Sequence, residues 1–341
     1  MTDLLDRHDV LLADLDGTLY RGQEAVPGAV EAVRGAAGRG VRTVYVTNNA
    51  SRRPTDVAQH LVELGFPADT GDVATSSQAA AAMLAEQLPA AAPVLVVGTG
   101  ALAAEVTSAG LTVTDDPAVA VAVVQGHSPD TGWRLLADAS VALRAGALWV
   151  ACNLDPTLPT ERGPLPGNGS MVAVLRTATG LEPQVAGKPA TAQLLAAVRR
   201  TGARRALVVG DRLDTDIEGG RAAELATLLV LTGVSGAADV LAAPPALRPD
   251  YIGADMGALT AAADELAPGA PSGWTAEVTG EGGLRLAGSG DAVAALRTLC
   301  APHWAAGGGP ATVTADGPEA EQALRDLGLG GETAASATVG R

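Results

Sequence analysis

The chain has 341 residues, enough for two domains or three, and 23 basic against 38 acidic side chains give a formal net charge of −15. That balance excludes a protein that grips nucleic acid or an anionic membrane by displacing counterions, and aromatic residues at 2% leave no platform for stacking bases. Hydrophobic residues at 47% exclude global disorder, and the two cysteines, Cys152 and Cys300, exclude a disulfide framework or a thiolate metal centre, which fits a reducing cytoplasm.

The first residues are acidic where a signal peptide carries basic ones. Val10–Ala13 is a short apolar run without period-2 alternation, the pattern of a parallel strand buried on both faces. It ends in Asp14-Leu15-Asp16-Gly17-Thr18, two carboxylates at a strand's carboxyl end, where open α/β sheets bind ligands. Such a pair divides the labour: one attacks or binds metal, the other moves a proton. Val41–Val46 ends likewise in Thr47-Asn48-Asn49. Its hydroxyl and turn N–H groups suit phosphate oxygens, or simply cap a helix. Helical spacing follows over Pro54–Leu64 and Gln78–Leu88. The uncharged stretch over 87–104 holds Pro89, Pro93, Gly98 and Gly100 and is not a membrane span.

Val94–Val97 then runs into Gly98-Thr99-Gly100-Ala101-Leu102-Ala103. This strand–Gly-x-Gly-x-x-Ala–helix pattern admits a rival function, an NAD(P)-binding oxidoreductase with Asp115 or Asp116 as its acid. Its place far from the chain start favours a plain glycine turn. The runs Val119–Val124 and Leu148–Ala151 lead into two polar segments, Gln125 to Asp130 with His127, and Cys152 to Ser170 with Asn153, Asp155 and Arg162. Lys188 is the single lysine of the chain. Arg serves wherever a generic cation suffices, so Lys188 marks a position that needs a compact ammonium. After a helix over Ala190–Arg200, the run Ala206–Val209 ends in Gly210-Asp211-Arg212-Leu213-Asp214-Thr215-Asp216. Converging carboxylates repel one another, and a hard cation is the natural remedy; oxygen ligands with an open phosphate position favour Mg²⁺. Leu228–Leu231 adds another strand. The strand–helix alternation argues an α/β fold, a Rossmann-like doubly wound parallel sheet.

Taken together and in order, the strings at Asp14–Thr18, Thr47–Asn49, Gly187-Lys188-Pro189 and Gly210–Asp216 resemble the four motifs of the haloacid dehalogenase superfamily of phosphatases. The resemblance implies a Mg²⁺-dependent phosphomonoester hydrolase working through an aspartyl-phosphate. It assigns Asp14 as nucleophile and Asp16 as general acid and base. Thr47, Asn48 and Lys188 hold the phosphate, and Asp14, Asp211 and the Asp16 carbonyl bind the metal. Asp216 stands behind the ligands, and the role of Asp214 is open. Asp14 and Thr47 are 33 residues apart, Thr47 and Lys188 141. The second gap calls for an inserted α/β cap, as in the branch of nitrophenyl-phosphatase-like, phosphoglycolate and pyridoxal-phosphate phosphatases. The expected core is 1–77 with 187–263 and the cap 78–186. His127, Asn153, Asp155 and Arg162 are its candidates for choosing the substrate.

Past a linker over 264–274, residues 275–341 read as a small C-terminal α/β appendage with a frayed end. Arg285 to Gly290 weakly resembles the pyrophosphate loop of acyl-CoA N-acetyltransferases, so acyl-CoA binding is a further alternative. With its appendage and acidic Ala/Gly-rich composition the chain looks most like the bacterial glycerol 3-phosphate phosphatases of this branch, a resemblance that implies glycerol 3-phosphate as substrate, with phosphoglycolate, pyridoxal phosphate or a sugar phosphate as alternatives. The expected partner is thus a small phosphorylated metabolite, with self-association through the cap or the C-terminal module left open.

Overall fold

A computed structural model describes residues 2–330 apart from 159, 161, 281 and 282; the expectation of a frayed end lies, from 331 on, outside them. The chain forms two compact units. One is built from the chain up to Arg42 and from Arg204 onward, the other from Thr43–Ala203.

In the first unit four parallel strands lie in the order Tyr251–Gly253, Ala226–Val230, Ala206–Gly210 and Val10–Asp14. Residues 10–13 and 206–210 are buried throughout, as unbroken apolar runs require in a sheet covered on both faces. Each fully buried Leu or Val there contributes roughly 2 kcal/mol of transfer free energy. Ala13 pairs with Val209, so Asp14 and Asp211 leave the sheet at the same end.

The C-terminal part has a sheet of its own, Trp274–Val278, Leu284–Gly288 and Val313–Asp316, with helices Ala292–Ala305 and Pro318–Asp326. Its core is not its own. Trp274, Leu284, Leu286, Leu296 and Leu299 share one apolar cluster with Leu229, Val240, Leu241 and Ile252. The buried Arg297 guanidinium donates to the Ile252 carbonyl at 2.7 Å. The stretch read as a linker over 264–274 is accordingly packed: Ala263–Leu266 is helical, and Gly269 N–H donates to the Arg297 carbonyl. So small a sheet cannot bury this apolar surface without a neighbour.

In the second unit Tyr45, Val46 and Thr47 pair with Val73, Ala74 and Thr75 in parallel. A separate five-stranded parallel sheet follows the order Gln184–Val185, Leu148–Ala151, Ala122–Gln125, Pro93–Val97, Thr112–Thr114. Alternate residues feed opposite faces. Val94, Val124 and Val150 pack with the helices Ser76–Gln87 and Gly100–Ser108. Leu95, Val123 and Trp149 pack with Trp133–Arg144 and Asn168–Thr179. The boundary expected at 77/78 falls just inside the helix Ser76–Gln87. Thr75 ends its strand and caps the next helix: its Oγ1 accepts from Gln78 N–H at 3.2 Å, and Gln78 Oε1 accepts from Thr75 N–H at 3.0 Å. Strand therefore passes into helix without a linker, and Ala50 shares a cluster with Ala79, Ala80 and Leu84. Among the described residues no helix is long and apolar enough to cross a membrane.

Candidate active site

The first unit gathers carboxylates. Asp14 is half-buried at its strand end, Asp16 is exposed, and Asp211 and Asp216 are buried at 0% and 1% exposure. Carboxylate oxygens of Asp14, Asp211 and Asp216 lie within 4.8 Å of one another. Three glycines make the approach feasible. Gly17 has φ +91°, and a Cβ there would stand 2.5 Å from Asp211 Oδ2. Gly233 likewise backs onto Asp211, and Gly210 onto Asp216. Asp211 Oδ2 accepts from Val234 N–H at 2.7 Å and Oδ1 from the Thr18 hydroxyl at 3.2 Å. Thr232 Oγ1 donates to the Gly17 carbonyl at 2.6 Å, and Arg21 Nε donates to the Thr232 carbonyl at 2.9 Å, so the turn after Asp16 is tied from both sides.

Asp216, which the sequence reading set behind the metal ligands, has its carboxylate beside those of Asp14 and Asp211. Leu213–Ile217 is a single π turn, with Ile217 N–H donating to the Arg212 carbonyl. The extra residue in that turn brings the Asp216 carboxylate back over Gly210 and into the cluster, where it accepts from Arg212 N–H at 3.2 Å. Asp214 instead takes the Arg212 fork at 2.9 and 2.7 Å. Burial alone would raise its pKa, but the guanidinium outweighs that and holds the carboxyl below its ordinary value. The cluster offers oxygen donors only, held by backbone N–H and hydroxyl groups, a set that fits a hard divalent cation such as Mg²⁺.

The second unit gathers amides around the single lysine. Thr47 is buried and its Oγ1 accepts from Asn49 N–H at 3.1 Å, leaving the hydroxyl proton available to donate. Lys188 is 3% exposed, and its Nζ donates to the Val46 carbonyl at 3.5 Å. Asn48 joins the segments. Its Oδ1 accepts from Lys188 N–H at 2.9 Å, and its Nδ2 donates to the Lys188 carbonyl at 2.9 Å and to Asp155 Oδ2 at 3.2 Å. The Asn48 carbonyl accepts from Ser76 Oγ at 2.6 Å and from Asn153 Nδ2 at 2.7 Å. Gly187 must be glycine here, since a Cβ would stand 2.5 Å from Asn48 Oδ1 and from the Cys152 carbonyl.

The cap candidates separate. Asn153 is buried; its Oδ1 accepts from Asp155 N–H at 3.2 Å, so both of its polar side-chain atoms are engaged by backbone. His127 lies on Ser51, Nδ1 to Oγ at 3.3 Å. Arg162 is exposed on a turn closed by Thr160 and Gly163. Sequence reasoning missed Thr18, Ser76, Asn168 and Gln193. Gln193 is 1% exposed, and its Nε2 bridges the Thr47 and Ala74 carbonyls at 2.8 and 2.9 Å. A lone Gln on the apolar face of an Ala-rich helix was the signal available.

The glycine pattern after Val97 has a structural explanation. Gly98 packs on Leu102, whose Cδ2 a Cβ would meet at 2.8 Å, so the glycine turn follows from packing. In the tail, Ser289 N–H donates to the Gly273 carbonyl at 3.1 Å, and the Asp291 carboxylate caps the following helix by accepting from Ala294 N–H at 2.9 Å. Two backbone N–H groups of this segment are thus engaged within the fold, one of them by a carboxylate.

A haloacid dehalogenase-like hydrolase family model matches residues 11–112, and a second HAD-hydrolase-like model residues 185–259. A GCN5-related N-acetyltransferase like domain model matches residues 272–329. The chain is 54% identical over 295 residues to D-glycerol 3-phosphate phosphatase of Mycobacterium tuberculosis, covering 85% of this chain and 82% of that protein. It is 41% identical over 226 residues to a 5′-nucleotidase of Bacillus subtilis, covering 66% of this chain and 87% of the other. Among solved structures, the glycerol phosphate phosphatase of M. tuberculosis in complex with magnesium superposes with a TM-score of 0.91 at 50% identity, over 96% of this chain and 100% of that one.

Proposed function

The chain belongs to the haloacid dehalogenase-like hydrolases, and from that premise we propose that it is a Mg²⁺-dependent phosphomonoester hydrolase acting on glycerol 3-phosphate. The observation that carries the chemistry is the Asp14–Asp211–Asp216 cluster at the carboxyl ends of buried parallel strands. The substrate follows from the 54% identity to a protein named for it.

Asp14 attacks phosphorus through a carboxylate oxygen. One P–O bond forms as the bond to the leaving alkoxide breaks, and Asp16 gives that alkoxide its proton. Water then attacks the aspartyl-phosphate while Asp16 takes back a proton, which releases phosphate and restores Asp14. Thr47 donates its hydroxyl proton and Asn48 its N–H to phosphoryl oxygens, and Lys188 neutralises them. Asp14, Asp211 and the Asp16 carbonyl would hold the metal, with Asp216 beside them. When bound, Mg²⁺ supplies positive charge against the approach of a carboxylate to a phosphate dianion. Desolvated positive charge is where catalysis of phosphoryl transfer mainly resides.

Residues 78–186 choose the leaving group in this reading. His127 and Asp155 carry the polar groups suited to a polyol, and Asn153 positions Asp155 by accepting from its N–H. A carboxylate-bearing leaving group would need a cation such as Arg162. The acidic composition and two buried free cysteines suit the cytoplasm, the compartment we propose. Self-association through the cap or the C-terminal module belongs to the same reading, and light scattering would test it.

The test is kcat/KM for glycerol 3-phosphate against 2-phosphoglycolate with Mg²⁺, in wild type and Arg162→Ala. Glycerol 3-phosphate is expected to be the better substrate in both. A phosphoglycolate preference that vanishes with Arg162 would overturn the substrate and leave the phosphatase standing.

A further inference from the structure

We propose that Asn48 is the positioning residue that couples the phosphate-binding lysine to the cap loop, through a side-chain amide that touches neither the reacting atoms nor the leaving group. The inference rests on the phosphatase reading above. A backbone N–H of Asn48 would suffice to grip phosphate, yet the side chain is fully committed elsewhere. Its Oδ1 and Nδ2 form a two-point clamp on the N–H and carbonyl of Lys188, both at 2.9 Å. That clamp fixes the backbone from which the ammonium projects. The same Nδ2 holds Asp155 Oδ2 at 3.2 Å, and the Asn48 carbonyl is held by Asn153 Nδ2 at 2.7 Å. Asn168, 2% exposed at the start of its helix, extends the chain by donating to the Asn153 carbonyl at 2.7 Å.

An amide is the one neutral group that can do this. It presents an acceptor to an N–H and two donors to a carbonyl and a carboxylate at once. A carboxylate at this position would keep the first bond, lose the other two and face Asp155 as a like charge. Movement of the loop at 153–155 is thereby transmitted to Lys188, and the placement of Lys188 depends on the loop being seated.

The experiment uses the full chain and compares N48D, D155N and the N48D/D155N double variant. The double variant exchanges carboxylate and amide and so restores a donor facing an acceptor. Three readings are taken: the inhibition constant of inorganic phosphate, kcat/KM for glycerol 3-phosphate, and its ratio to kcat/KM for p-nitrophenyl phosphate. N48D is expected to raise the phosphate inhibition constant and lower kcat/KM for glycerol 3-phosphate at least about tenfold, ~1.4 kcal/mol. It should also move the substrate ratio, and the double variant should recover part of both losses. Values for N48D within about twofold of wild type, or a uniform loss with no recovery in the double variant, would overturn the proposal. Should N48D not fold, N153D puts a carboxylate against the Asn48 carbonyl and asks the same question through the substrate ratio; an unmoved ratio counts against it. A wild-type enzyme that hydrolyses neither ester sinks the phosphatase reading instead, and thermal stabilisation by inorganic phosphate then reports on Asn48 separately.

Discussion

At the residue scale, the groups the sequence exposes are those whose chemistry is unusual for their surroundings. Asp14 and Asp211 stand out because they end apolar runs, and Lys188 because every other cation is Arg. Asn48 does not stand out as a joint, because its partners at 153, 155 and 188 lie more than a hundred residues away in sequence. Lys188→Arg should lower kcat at least about tenfold, since a planar fork cannot replace a buried point charge; steady-state kinetics with unchanged kcat would make the lysine a leftover. Gly17→Ala should destabilise by about 1 kcal/mol or more, from its positive φ and the approach of a Cβ to Asp211. A melting curve that does not shift would contradict this. Burial pushes both cysteine thiols up to about 12 from an ordinary 9. The folded state therefore keeps protons that the unfolded chain sheds above about pH 9, so this contribution to stability is present below that pH and is lost between about 9 and 12. Urea titrations at pH 8 and 10 should show the fall, and a Cys152→Ala/Cys300→Ala variant should show less of it.

Elements follow the sequence best where a strand is buried on both faces. Val10–Asp14 and Ala206–Gly210 lie within a residue of the apolar runs that announce them. Ends set by capping chemistry are less legible. The helix expected from Gln78 starts at Ser76 because Thr75 caps it, and the π turn at Leu213–Ile217 has no sequence signature at all. That turn is why Asp216 joins the cluster. Asp291, by contrast, is a readable cap, and Asp291→Ala should cost about 1 kcal/mol. Thermal unfolding that leaves the midpoint unchanged would show that the helix Ala292–Ala305 does not depend on it. The engaged donors at Ser289 and Ala294 also predict that acetyl-CoA added in a calorimeter gives no heat of binding, and a saturable signal would reopen the acyl-CoA reading.

For the whole molecule, composition sets the solution. With few aromatic residues, the apolar interior is assembled from Ala, Val and Leu in clusters that cross the expected domain limits. The C-terminal sheet and the strands at Ala226–Val230 and Tyr251–Gly253 bury one another, a dependence invisible to a local pattern because it links residues 229 and 299. In the proposed reaction Asp14 supplies the oxygen that attacks phosphorus, and a divalent cation would support it. The most direct measurement is phosphate release from glycerol 3-phosphate by wild type and by Asp14→Asn, each with Mg²⁺ and with a chelator, after circular dichroism has confirmed equal folding. Turnover is expected in wild type with Mg²⁺ alone, and none in the variant, whose amide is a poor nucleophile and a weaker ligand. Near-wild-type release by Asp14→Asn, or release by wild type undiminished by the chelator, would contradict the proposed reaction.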